Sequence, residues 1–310
     1  MRYNDLNHFL NFLKDTTPNG SYPGDEINYA AENIQKNPNV ILEASLSYDK
    51  AIQFADNKLK SDKIFLEKVL KNNPNSIQYI ENQFLDSHDF LLNLMIGFGT
   101  DKHKYSLIFN YLPKQIREDK EFTLKALKIN DRIANWIDEK FKNDKEIVLE
   151  MLKKGETKFY SPYATFKSDR EVVLEAVKVD IYGLEYCDDK FKSDKEIVLA
   201  SVNNRGVTIK HADNALKSDR EIAYAAVKDD GWAIEHLPIE LQNDKELVLK
   251  AIENDWTALK FLSEELRIEF LKNIEVRKFI KENLHKIKNK DDIKLKQILS
   301  TILLFENNSN

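Results

Sequence analysis

The chain has 310 residues, 32 % of them charged, and a formal net charge of -5. That balance excludes whole-molecule attraction to nucleic acid or to anionic membrane, and a hydrophobic content of 42 % excludes wholesale disorder. The single cysteine, Cys187, excludes an internal disulfide and a cysteine metal cluster, and no apolar run reaches the ~18–20 residues of a membrane helix.

Residues 1–36 read as an N-terminal helical cap, with a loop over 16–24 rich in Pro, Gly, Ser and Asn. The first ten residues lack a charged stretch followed by a long apolar one, so a cytoplasmic protein without a secretion signal is expected. Asn37-Pro38-Asn39 then opens a unit carrying Val40, Ile41, Leu42 and Ala44, and Ser61-Asp62-Lys63 opens the next. Pro38 suits a first helical turn, where its missing N–H would go unpaired anyway. A third start lies near His88, 26 residues after Asp62, and the following one 31 residues later. An insertion of about half a dozen residues is therefore expected within 97–111, in an irregular unit over 88–118. Gly97-Phe98-Gly99-Thr100 is glycine-rich but runs into Asp101-Lys102-His103, so it reads as a loop and not a phosphate cradle.

From Asp119 the period is strict. Asp-Lys-Glu or Asp-Arg-Glu recurs at 119, 144, 169, 194, 219 and 244, always 25 residues apart. Ser168…Glu171, Ser193…Glu196 and Ser218…Glu221 have capping-box spacing with serine as N-cap, and Asn143…Glu146 and Asn243…Glu246 are asparagine versions. A helix follows, its stripe typified by Val173, Leu174, Ala176 and Val177, with a small residue recurring at Ala126, Ala226 and Ala251. A break comes next, glycine at Gly206 and Gly231. A second, shorter helix follows (183–187, 208–212, 233–237) and ends on a wedge: Phe141, Phe166, Phe191, Leu216, Leu241 or Leu266. Residues 269–305 keep helical apolar spacing but lose the repeat, which suits a C-terminal cap, and 306–310 read as a disordered tail. A period of this length predicts an all-α, right-handed α-solenoid of about nine two-helix repeats over 37–268, with atypical caps at both ends.

The unit S-D-[KR]-E-[IV]-V-L-x-A-V-K, a break, and a second helix ending in L-K-S-D-[KR]-E resembles the bacterial repeat family known as domain of unknown function (DUF) 4116, whose domains pair two such units. The likeness is strong over 119–250, weaker over 37–118 and absent at both ends. It implies the fold unit and no catalytic residues.

Numbering each unit from its Asp or Asn start, position eighteen is often aromatic or histidine: Phe54, Tyr79, Trp136, Tyr186, His211, His236 and Phe261. One reading is a ladder that grips a partner peptide or bases; the other is core contact by the second helix. Residues two places earlier, such as Ile209 and Ile234, are the better core candidates. Trp232 and Trp256 lie near the turn between helices and read as an exposed anchor patch. Partner-binding candidates are thus Trp136, Tyr186, His211, Trp232, His236, Trp256 and Phe261. Helices packed about 8–10 Å apart set His211 and His236 too far apart to share an ion, so no metal site is expected. Cys187 aligns with Ala212 and Leu237 and reads as inward-facing. The cations of the caps sit beside acids and read as a mixed-charge edge laced by weak ion pairs. Arg277, Lys278, Lys281, Lys286 and Lys288 form a locally basic C-terminal stretch, the basis for a nucleic-acid alternative.

Repeated residues make poor catalytic constellations, because catalysis needs unlike groups converging at one place. The expected function is a non-enzymatic protein–protein interaction module, a scaffold or inhibitor holding a partner along a concave face, with no cofactor and no membrane. Nucleic-acid binding, or inhibition of a nucleic-acid-processing complex, is the alternative, and an enzyme centred on 88–118 the second. Richness in Asn, Lys and Ile suits an AT-rich bacterium or its phage.

Overall fold

A computed structural model describes residues 5–14, 23–99, 102–130, 133–134, 137–155, 165–283 and 293–307, and every regular element among them is helical. The chain forms two compact units, Met1–Phe159 and Tyr160–Asn310. Five long helices of the repeat lie in the first: Pro38–Ser45, Lys63–Asn72, His88–Gly97, Lys120–Ile129 and Lys145–Lys153. Four lie in the second: Arg170–Val177, Lys195–Asn204, Arg220–Asp229 and Lys245–Asn254. Each repeat is named below by the residue capping its long helix.

That cap is the aspartate, not the serine before it. The Asp194 carboxylate accepts from the backbone N–H of Glu196 at 3.1 Å and of Ile197 at 3.3 Å. Asp169, Asp219 and Asp244 do the same. The expected serine box fails because the serine is drawn elsewhere: Ser193 Oγ donates to Asp213 of the next repeat at 2.7 Å, and Ser168 Oγ to Asp188. Backbone ties run beside these bonds, from Asp213 N–H to the Lys192 carbonyl and from Asp188 N–H to the Lys167 carbonyl.

The second element also differs from expectation. In most repeats it is a 3₁₀ helix, as in Pro74–Tyr79, Gly206–His211, Gly231–His236 and Trp256–Phe261. A separate single α-turn follows, as in Asn214–Lys217 and Ile239–Gln242. Asn73, Asp230 and Asp255 start the tighter coil by accepting from the N–H two residues on. Among the described residues, the Asp169 repeat instead keeps an α-turn there, Gly183–Tyr186.

Packing follows the predicted stripe. Ala126, Ala176, Ala226 and Ala251 are buried, as are Leu184, Ile209, Ile234 and Leu259 from the second element. The wedge residues lie at the margin: Phe141, Phe191 and Leu266 are buried, whereas Phe166, Leu216 and Leu241 are half-buried. The glycine of the break has a packing reason. A Cβ on Gly206 would lie 2.1 Å from the Ala226 carbonyl of the next long helix, and one on Gly231 2.4 Å from that of Ala251. Asp229 and Asn254, at the ends of those next helices, accept from the Gly206 and Gly231 N–H groups at 2.7 and 2.9 Å. Asn254 also donates back to the carbonyls of Lys228 and Asp229.

The irregular unit is capped by Ser87, so the early starts at Asn37, Asp62 and Ser87 keep the 25-residue step and the whole insertion falls before Asp119. The extra residues form a full helix, Lys102–Tyr111, in place of the 3₁₀ element; it packs against Pro74–Tyr79. Its Phe109 is buried and stacks on Phe122 of the next repeat at 6.2 Å. At the far end, Ile293–Asn307 runs two residues into the expected tail, and 308–310 lie outside the described residues.

Candidate functional site

Two surfaces carry side chains beyond what the fold needs. The first is the edge of caps. The cation after four of the capping aspartates, Asp119, Asp169, Asp194 and Asp219, reaches the next repeat and bridges both of its acids. Lys120 lies 2.8 Å from Asp144 and 3.1 Å from Glu146. Arg170 reaches Asp194 at 2.8 Å and Glu196 at 2.5 Å; Lys195 reaches Asp219 and Glu221; Arg220 reaches Asp244 and Glu246. Hydrogen bonds from Arg170, Lys195 and Arg220 hold the carboxyls of Asp194, Asp219 and Asp244 below their usual range. Bonding to Glu221 and then Asp219 pushes the Lys195 ammonium up to about 12. The cations are spent within the edge, so it works as framework.

The second surface is the outer side of the second elements. Tyr186 is 52 % exposed, and His211, His236 and Phe261 are half-buried. The residues two places earlier are fully buried, so the ladder residues stand at the outer margin of the core, where Phe261 packs against it. His211 Nε2 lies 3.6 Å from Glu185 of the preceding repeat; burial lowers its proton affinity although Glu185 raises it. Burial lowers that of His236 as well. Trp232 is 40 % exposed; its indole N–H donates to Thr257 Oγ1 at 2.7 Å, its ring meets Phe261 edge-on at 5.5 Å, and Lys260 Nζ sits 3.5 Å over it. Thus Trp232, Lys260 and Phe261 form one preset cluster across two repeats.

Two expectations are corrected. Trp256 is 2 % exposed, enclosed by the core, and offers no anchor. Arg277 is buried, its guanidinium donating to the Leu271 and Lys272 carbonyls at 2.7 and 2.8 Å, so it ties off a helix end instead of facing a phosphate. Lys278 and Lys281 are exposed. Trp136, Lys286 and Lys288 lie outside the described residues. Cys187 faces inward, its thiol donating to the Leu184 carbonyl, and burial pushes it up to about 11.

Sequence reasoning missed Tyr182, which is 51 % exposed and lies 6.2 Å from Tyr186 ring to ring. Its signal was position fourteen, shared with Trp232: positions fourteen and eighteen are one turn apart and emerge together. Among the described residues no three His, Cys, Asp or Glu side chains converge to hold a metal ion, and no helix is long and apolar enough to cross a membrane.

No curated protein and no solved structure matches the chain. A family model, Domain of unknown function (DUF4116), matches residues 34–85, 120–164, 165–217 and 219–267. Each match spans a pair of repeats, and the irregular unit falls between the first and second. With more than half of its length so covered, the chain belongs to the DUF4116 family.

Proposed function

We propose that this protein is a non-enzymatic protein–protein interaction module, a cytoplasmic scaffold or inhibitor built as a right-handed α-solenoid of about nine repeats. The observation that carries the reading is the contrast between the two surfaces. Cap cations are paired from repeat to repeat, whereas positions fourteen and eighteen hold unlike, exposed rings on a repeated helical frame: Tyr182, Tyr186 and Trp232. Aromatic side chains on a rigid support are what protein interfaces use as anchors, because they bury much area for little lost freedom. The mixture of Tyr, His, Trp and Phe suits one defined partner more than a uniform ligand. The nucleic-acid alternative keeps only Lys278 and Lys281 among the described residues, since Arg277 is committed to carbonyls.

The test is affinity capture from the native host followed by mass spectrometry, with wild type beside Tyr186→Ala/Trp232→Ala. A partner retained by wild type and lost by the double variant is expected, with unchanged circular dichroism. Equal capture by both proteins removes this face from consideration. Salt-sensitive RNA or DNA binding without a protein partner turns the reading to nucleic acid.

A further inference from the structure

From the last repeat we infer that the stack is terminated by design at one residue, Trp256, whose indole fills the joint through which each repeat would receive the next. At position thirteen the Asp194 and Asp219 repeats have Gly206 and Gly231, and the next helix backbone comes so close that no Cβ fits. The Asp244 repeat has Trp256 at that position, 2 % exposed, with its indole N–H buried and lacking a hydrogen-bond partner. A side chain of that size turned inward occupies the space a following helix needs. A small side chain at position thirteen still admits a following repeat: Asp49 starts the 3₁₀ helix Asp49–Phe54, which packs on Pro74–Tyr79 of the next repeat. Ile181 is 46 % exposed, turned away from the joint, and its segment is rebuilt as the α-turn Gly183–Tyr186. Pro74 lies in the 3₁₀ element that meets the inserted helix Lys102–Tyr111.

A second, independent feature marks the same end. In earlier repeats the single α-turn stops, and an aspartate caps a new long helix: Ile239–Gln242 is followed by Asp244. One period later the helix Glu264–Lys272 runs straight through, and the residue at the capping position is Glu269. Glutamate favours a helix interior where aspartate favours its start. Glu269 still receives the Lys245 cation, so the charge edge completes its last rung with no new repeat beyond it. The vacated side is covered from within: Ile293–Asn307 packs on Trp256–Phe261 and on Glu264–Lys272, burying Ile298 and Ile302. The structure therefore assigns a sealed C-terminal end, closed to a further repeat and to end-to-end addition of another copy.

Three full-chain variants test this by hydrogen exchange. In the first, a second copy of residues 219–243 is inserted after Asn243, where Gly231 receives it. In the second, a copy of 244–268 is inserted after Ile268, where Trp256 of the upstream copy must receive it. The third repeats the second with Trp256→Gly in that upstream copy only. The extra long helix is expected to be protected in the first, to exchange at least 100-fold faster in the second, and to regain protection in the third. Equal protection in the first two overturns the inference. So does failure of Trp256→Gly to restore it, since the block would then lie elsewhere.

Discussion

The Asp219 and Ser87 repeats fill the space beyond the long helix differently. In the Asp219 repeat a six-residue 3₁₀ helix is clamped to the next long helix at Gly231, by a carbonyl in near contact and an asparagine amide bonded in both directions. In the Ser87 repeat a ten-residue α-helix does the job, and the join is ring on ring, Phe109 against Phe122, with His88 5.1 Å from the same ring. The first solution is geometrically exact and tolerates no added atom. The second relies on apolar volume and frees the chain to vary. The family match takes in repeats on both sides of the Ser87 repeat and passes over that one.

The comparison breaks most severely where apolar volume is removed. Phe109→Ala should cost about 3–5 kcal/mol by urea unfolding, since the fully buried ring has no substitute. Gly231→Ala should cost about 1–3 kcal/mol, because the new methyl meets backbone and the joint must open. The mirror substitution Gly99→Ala has free space around it, and its φ of +61° makes strain its only cost, about 1 kcal/mol. If Gly231→Ala is no worse than Gly99→Ala, the clamp carries no weight. Asn254→Ala should cost about 1 kcal/mol, its amide bonds being partly solvated.

Acid sharpens the contrast. His211 and His236 titrate lower in the fold than in the unfolded chain, so the stability they contribute is present above pH ~6.5 and drains as the pH falls through their folded values. Asp194, Asp219 and Asp244 are also depressed, so theirs is present above pH ~4 and is lost below it. Hydrogen exchange from pH 7 to 3 should show the second unit loosening in those two steps. The smallest effect belongs to Arg220→Ala: exposed ion pairs contribute little, so the unfolding midpoint should stay put and only its salt dependence should weaken.

Much of this was legible because the repeat writes each framework position several times over. The long helices, their buried alanines and the isoleucines of the second element follow from period and stripe alone. The choice between Ser193 and Asp194 as cap was not legible, since adjacent residues both cap well and only Asp213, 20 residues past Ser193, decides between them. A six-residue apolar segment reads equally as α or 3₁₀, because residues three apart share a side in both. Trp256 misled for another reason. Its position in the repeat was plain, but exposure depends on what covers a residue, and the covering helix lies some forty residues downstream, outside the period. On the outer surface, sequence located the ladder at position eighteen but not its companion at fourteen, where Val207 and Thr257 hide the pattern that Tyr182 and Trp232 carry.

The lone thiol has a use that follows from its setting. Cys187 is 5 % exposed and its proton is held up to about 11, so a reagent in neutral solution meets neither an accessible sulfur nor a thiolate. Labelling must wait for the Asp169 repeat to part from its neighbours. The rate of modification is then a clock for that opening, and a bound partner that bridges Tyr186 and His211 should slow it.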